Sequence, residues 1–153
     1  MRLVLDTDVI LSGLRSPDGA SRLLPRAVLA GAVTPLVTVA TILEHEDALL
    51  RPQAMAATGL TREETIAFLD GYIARAEAVL VRQRHRPTIR DPADEIFVEA
   101  LLNGGGDAIV TFNRRDYLVA DERGASRGRW AVPVLTPGET WRRLAWRPAT
   151  TTR

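Results

Sequence analysis

The stretch Met1–Leu14, MRLVLDTDVILSGL, decides how the rest of the chain is read. Its first part, RLVLD (2–6), is a continuous apolar run ending in acid, the pattern of a strand buried on both faces. VILSGL then changes to helical spacing, so a strand passes into a helix across the two carboxylates Asp6 and Asp8. A carboxylate directly after a buried strand must be desolvated, paired or bound to something. Asp6 is therefore the first residue that asks for a function.

The same alternation continues along the chain. Helical patterns are expected at 18–30, kinked or restarted at Pro25, and at 38–50 behind a Thr cap, with Ile42, Leu43, Leu49 and Leu50 on one side and Pro52 as its stop. A third is expected at 61–76, where Thr61 and Glu64 form a capping box. Two more are expected at 91–106, with Pro92 at the first helical position and glycines at the end, and at 136–145, with Thr, Pro and Glu in capping order. Between them lie the strand-like runs 32–37, 78–82, 107–112 and 130–135. Strands alternating with helices predict an α/β fold of three layers, α/β/α, around a central and mainly parallel sheet of about five strands. Residues 1–147 read as one domain and 148–153 as a disordered tail.

Composition narrows the chemistry. The 153 residues are 46% hydrophobic, enough for one core, with a net charge of +1. There is no cysteine and there are two histidines, so a disulfide framework is excluded and a metal would be held mostly by oxygen. All 20 basic residues are arginine, and no site can use a lysine. No apolar run approaches the ~18 residues of a membrane span, and the N-terminus has no signal-peptide layout, so a cytoplasmic location without membrane contact is expected.

In open α/β sheets ligands bind beyond the carboxyl ends of the strands, near the point where strand order reverses. The polar residues at those ends are Asp6 and Asp8 after the first strand, Glu44 in the helix after the second, Asp91 and Asp94 after the third, and Asn113 and Asp116 after the fourth. Most have a local use: Asp91 suits a helix N-cap, Asp94 a first helical turn and Asp116 a turn. Gathered in one crevice, however, they repel and need a cation. An oxygen-only set suits Mg²⁺ or Mn²⁺, which keep several waters and bring them to a phosphate. The chemistry that follows is hydrolysis of a phosphate ester by activated water. Arg82, Arg84, Arg86 and Arg90, with His85, precede the acidic helix start, and Arg114 and Arg115 follow the fourth strand. Their guanidinium forks suit phosphate oxygens and form a candidate RNA-binding collar. Neither His85 nor His45 sits in a segment suggesting an acid–base pair.

The pieces LVLDTDVILSGL, ILEHEDALLRP, DPADEIFVEALLNGGGDAIVTFNRRDY and VLTPGETWRRL occur in the order and spacing of a family. The chain resembles the PIN-domain ribonucleases, closest to the PIN-like toxins of bacterial type II toxin-antitoxin modules, from residue 2 to about 145. The resemblance implies a Mg²⁺- or Mn²⁺-dependent enzyme that cuts single-stranded RNA, with Asp6, Glu44 and Asp94 as successive metal-binding acids, Asp91 beside them, and Thr111 as a small hydroxyl residue at the strand end. It also implies silencing by a cognate antitoxin and a homodimer. Two positions depart from the family pattern: Asp8 stands where Asn is usual, and Asn113 where many members carry a fourth Asp. Either Asp116 or Asn113 is then expected to fill that catalytic position.

Two other functions fit parts of the pattern. Asp6-Thr7-Asp8 and the Thr ending AIVT also resemble haloacid-dehalogenase-type phosphatases, but that chemistry and that of receiver domains normally need a lysine, which the chain lacks. A catalytically idle PIN-like domain that binds RNA or a partner is the alternative that Asn113 would signal.

Overall fold

The computed structural model describes residues 1–16, 18–84, 86, 89, 91–117 and 133–144. His85, Arg90, the expected beginning of the last strand at 130–132 and the tail at 148–153 lie outside them. In chain order the elements are β1 (Arg2–Leu5), α1 (Thr7–Arg15), α2 (Ala20–Leu29), β2 (Thr34–Val37), α3 (Val39–Leu49), α4 (Pro52–Thr58), α5 (Arg62–Ile73), β3 (Glu77–Ala78), a 3₁₀ turn (Pro92–Asp94), α6 (Glu95–Gly104), β4 (Ala108–Val110), β5 (Val134–Leu135) and α7 (Pro137–Arg143).

The strands form one parallel sheet in the order β3-β2-β1-β4-β5. The chain builds outward from β1 through β2 to β3, then returns to add β4 on the other side of β1. The reversal therefore falls between β1 and β4, whose registers pair Leu3 with Ala108 and Leu5 with Val110. Side chains of β1 alternate between two cores, as strand geometry requires. Leu3 and Leu5 join Val9, Ile10, Leu24 and Val28 on one face, and Val4 joins Phe97, Leu101 and Ile109 against α6 on the other. The expected three-layer α/β architecture with a parallel five-stranded sheet is what forms.

Local signals explain most boundaries. Thr61 and Glu64 cap α5 reciprocally, and Thr136 and Glu139 do the same for α7. α6 ends at Gly105, whose φ of 59° suits glycine. α2 keeps Pro25 in its interior. The Ser21 carbonyl, which Pro25 cannot serve with an amide, lies against Gly13 of α1, where an added Cβ would come within 2.5 Å of it. That close approach seats α1 against α2 behind the acids it carries.

Three expectations need correction. Pro52 does not merely stop α3: it opens α4 at the first helical position, a use to which its fixed φ is suited. The strand expected at 78–82 pairs only through Glu77 and Ala78, with Val79 N–H donating to Val37 O at 2.7 Å. Beyond it, the amides of Arg82 and Gln83 donate to the Asn103 side chain of α6 at 2.9 and 3.0 Å, so the backbone leaves the sheet for a side-chain partner. The buried stripe of α3 is Thr41, His45 and Leu49, whereas Leu43 is 58% exposed.

Candidate active site

Asp6 leaves β1 extended and serves as the N-cap of α1. Its amide donates to Val110 O of β4 at 3.0 Å, which locks the turn to the neighbouring strand. The side chain is 9% exposed. Thr111 Oγ1 donates to Asp6 Oδ2 at 2.7 Å, the Asp8 amide donates to Asp6 Oδ1 at 3.3 Å, and the Tyr117 hydroxyl stands 3.5 Å from Oδ2, at the edge of hydrogen-bond reach. Burial raises the Asp6 pKa above the ordinary carboxylate range, the hydrogen bonds from Thr111, Asp8 and Tyr117 oppose the shift, and the Asp8 charge adds to it. Thr111, the hydroxyl residue expected at the strand end, thus holds the central acid.

Asp94 closes the 3₁₀ turn that starts from Asp91, whose side chain accepts from the Ala93 amide at 2.9 Å. Burial, then the charges of Asp6, Asp91, Asp116 and Asp8, push the Asp94 carboxyl up to about 7. Three segments distant in sequence, 6–8, 91–94 and 116, are thus brought within one another's field. Asn113 and Asp116 act as a unit: the Asn113 amide nitrogen donates to Asp116 Oδ2, and the Asp116 amide returns a bond to Asn113 O at 3.2 Å. Asn113 thus orients the Asp116 carboxylate, whose charge is one of those acting on Asp94.

These groups line a cleft of about 580 Å³ at the carboxyl ends of β1 and β4. Glu44 lines it as well but is exposed on the α3 wall, where its charge acts on Arg51 and not on Asp94. Arg15 and Arg51 also border the cleft, and sequence reasoning singled out neither. Arg51 pairs with Asp47, whereas Arg15 makes no ion pair among the described residues.

The expected arginine collar divides. Arg86 is committed to the protein, its Nε and Nη2 donating to the two oxygens of buried Glu99 at 2.7 and 3.0 Å. Arg114 Nη1 reaches Glu139 at 3.0 Å on the surface. Arg82, Arg84 and Arg115 are exposed and make no ion pair among the described residues.

His45 lies beside Glu44 in sequence yet is buried, its Nδ1 2.8 Å from Thr7 Oγ1 and its ring between Tyr72 and Phe97. Burial depresses its pKa to about 4, so it is neutral at physiological pH and serves to tie α3 to the start of α1. The spacing of Thr41, His45 and Leu49 carried that signal.

A divalent cation fits the chemistry of this donor set. Only oxygen is offered, and a cation would offset both the burial and the neighbouring charges that push Asp94 up to about 7. Among the described residues no three His, Cys, Asp or Glu side chains stand together as a ready-made ion cage.

Fold and cleft define a parallel α/β domain with an acidic site at its topological switch point. A family model described as PIN domain matches residues 2–115, and the chain belongs to that family. PIN domains are in general nucleases that use divalent metal ions. No curated protein and no solved structure matches the chain. Among the described residues no helix is long and apolar enough to cross a membrane.

Proposed function

We propose that the chain is a Mg²⁺- or Mn²⁺-dependent endoribonuclease acting on single-stranded RNA, and that it is the toxin of a toxin-antitoxin module. The observation that carries the nuclease reading is the gathering of Asp6, Asp8, Asp91, Asp94 and Asp116 on the lining of one cleft at the switch point, where burial and then the neighbouring charges raise the pKa of Asp94. Asp6 and Asp94 would hold the ion, with Asp91, Asp116 and Glu44 reaching it directly or through its waters. When bound, a divalent cation supplies Lewis acidity and a water activated at neutral pH.

The chain's own groups do the rest. Thr111 and the Asp8 amide prevent rotation of the Asp6 carboxylate, so its position is set before substrate arrives. Asn113 does the same for Asp116. Arg15 on the α1 wall and the exposed Arg82, Arg84 and Arg115 are available to phosphates of the strand. The toxin role rests on the resemblance of the motifs, and it implies a protein partner that places a basic side chain among these acids in the cation's stead, together with assembly as a homodimer.

Purified protein and a labelled single-stranded RNA test the proposal. Cleavage is expected with Mn²⁺, absent with EDTA, and should leave a 5′-phosphate and a 3′-hydroxyl. Cleavage that survives EDTA, or that leaves a cyclic phosphate, would overturn the metal-nuclease reading. Binding of RNA without cleavage under any metal would make the protein an idle binding domain. Growth arrest on expression, relieved by a small protein encoded beside it, tests the toxin role; unchanged growth at good yield would sink it.

A further inference from the structure

We propose that the hollow between Phe112 and the outer face of α1 is a nucleobase subsite, where one base of a single-stranded RNA stacks on Phe112 while its backbone crosses the acidic cleft. The proposal rests on the ribonuclease reading and adds a place where the enzyme grips its substrate away from the reacting phosphate.

The hollow, about 430 Å³, is lined by Asp8, Leu11, Ser12, Arg15 and Phe112. The four α1 residues are spaced three, four and seven positions from Asp8, so they form one stripe of the helix. Asp8, Leu11 and Arg15 also border the acidic cleft, which makes the two depressions continuous. A strand with its phosphate at Asp6 and Asp94 can therefore continue along α1 toward Phe112.

Phe112 is 51% exposed, although it follows directly on the buried Val110 and Thr111. Its backbone is fixed on both sides: Thr111 N–H donates to Leu135 O at 2.9 Å, Thr111 Oγ1 is bound to Asp6, and the Asn113 amide donates to Thr111 Oγ1 at 3.0 Å. The same threonine that orients the central acid thus sets where the ring stands. A large aromatic held out at a rigid position binds with little loss of conformational freedom. The rest of the lining favours a base over an apolar protein anchor. Asp8, Ser12 and Arg15 meet the polar edge and the phosphate of a nucleotide, whereas Leu11 and Phe112 meet its ring face.

The test is the affinity of a fluorescent single-stranded RNA octamer, read by anisotropy in Ca²⁺ with strand integrity checked on a gel. A set of octamers, each with one abasic position, accompanies the intact strand. Phe112→Ala is expected to weaken binding about 5- to 150-fold, the range of one lost base–aromatic stack. Phe112→Trp should retain affinity, and both variants should melt like the wild type. One abasic position should cost the wild type as much as the alanine substitution and cost Phe112→Ala nothing more. If the wild type binds and cleaves RNA while Phe112→Ala binds equally and no abasic position stands out, the subsite is wrong and the ribonuclease reading survives. If the wild type neither binds nor cleaves RNA, both fall. A change of self-association in Phe112→Ala with unchanged RNA affinity would make the ring a protein contact and overturn the subsite.

Discussion

Asp94 and Glu95 are neighbours in the chain and belong to opposite economies of charge. Asp94 faces the cleft, where burial and then the charges of Asp6, Asp91, Asp116 and Asp8 raise its pKa. Glu95 and Glu99 point to the other side of α6 and are 2% and 5% exposed, yet their oxygens are in use. Glu95 accepts from the Ile89 amide at 3.1 Å, and Glu99 takes both arms of the Arg86 fork. With Asn103 one turn further on, these residues pin the segment leading into α6. Buried acid on the flank has the Arg86 cation beside it, whereas acid in the cleft, though hydrogen-bonded, is gathered with other acids. The difference separates a structural carboxylate from a functional one where composition and burial alone do not.

The largest effect should come from exchanging one acid of each kind. Asp6→Asn is expected to lower Mn²⁺-dependent RNA cleavage about a thousandfold, several kcal/mol of barrier, while its melting temperature stays level or rises. Glu99→Gln should do the reverse, lowering the melting temperature while the properly folded fraction still cleaves. Should Asp6→Asn unfold the protein as Glu99→Gln does, the distinction between the two regions fails.

Arg86→Ala sharpens the same contrast. Removing this half-exposed cation strands the Glu99 carboxylate, and urea unfolding should show a loss of about 2 kcal/mol, below the range for a fully buried pair. The salt dependence of RNA binding should be unchanged in Arg86→Ala, whereas Arg82→Ala should reduce that slope by about 1. A reduced slope in Arg86→Ala would return it to the RNA collar.

The smallest expected effect is a dependence on pH. Asp94 titrates near 7 in the folded chain and near about 4 when unfolded, so between those values the folded state holds a proton that the unfolded state has lost. Its contribution is therefore most favourable at low pH and declines as pH rises to about 7. Without metal, Asp94→Asn should melt above the wild type by about 2–4 °C at pH 8, with little difference at pH 4. His45, neutral down to about 4, produces the opposite trend between about 6.5 and 4, but it is common to both proteins and cancels in the comparison. Mn²⁺ should raise the wild type more than the variant at pH 8. A variant less stable than the wild type at pH 8 in EDTA would mean that Asp94 is not repelled by its neighbours.

Much of this was legible in the chain because the signals were local. A capping box lies within four residues, a buried strand is an apolar run, and acids at the carboxyl ends of parallel strands must gather at one edge. Asp6, Asp91, Asp94 and Asp116 were reached in that way. What escaped was decided by partners far off in sequence. Nothing around Arg86 shows that Glu99 occupies it, since an arginine bound to phosphate and one bound to carboxylate have the same neighbours in the chain. His45 reads as a polar residue among solvated acids until Tyr72 and Phe97 enclose it. Glu44 matches its motif position and lines the cleft, but it is not among the charges that act on Asp94. α4 was missed because a proline that ends one helix and opens the next marks both events with the same residue.

The bond between Thr111 and Asp6 spans 105 residues. During synthesis, β1 emerges from the ribosome with its acid long before the hydroxyl that orients it exists, and β4 takes its place beside β1 only after the chain has turned back across the sheet. A nascent chain that has reached β3 can pair β1 with two strands on one side of Asp6 while the other side stays open. Stalled or truncated products ending before β4 would thus carry Asp6 without the hydroxyl that holds it, and on the proposed reading would be inactive toward RNA.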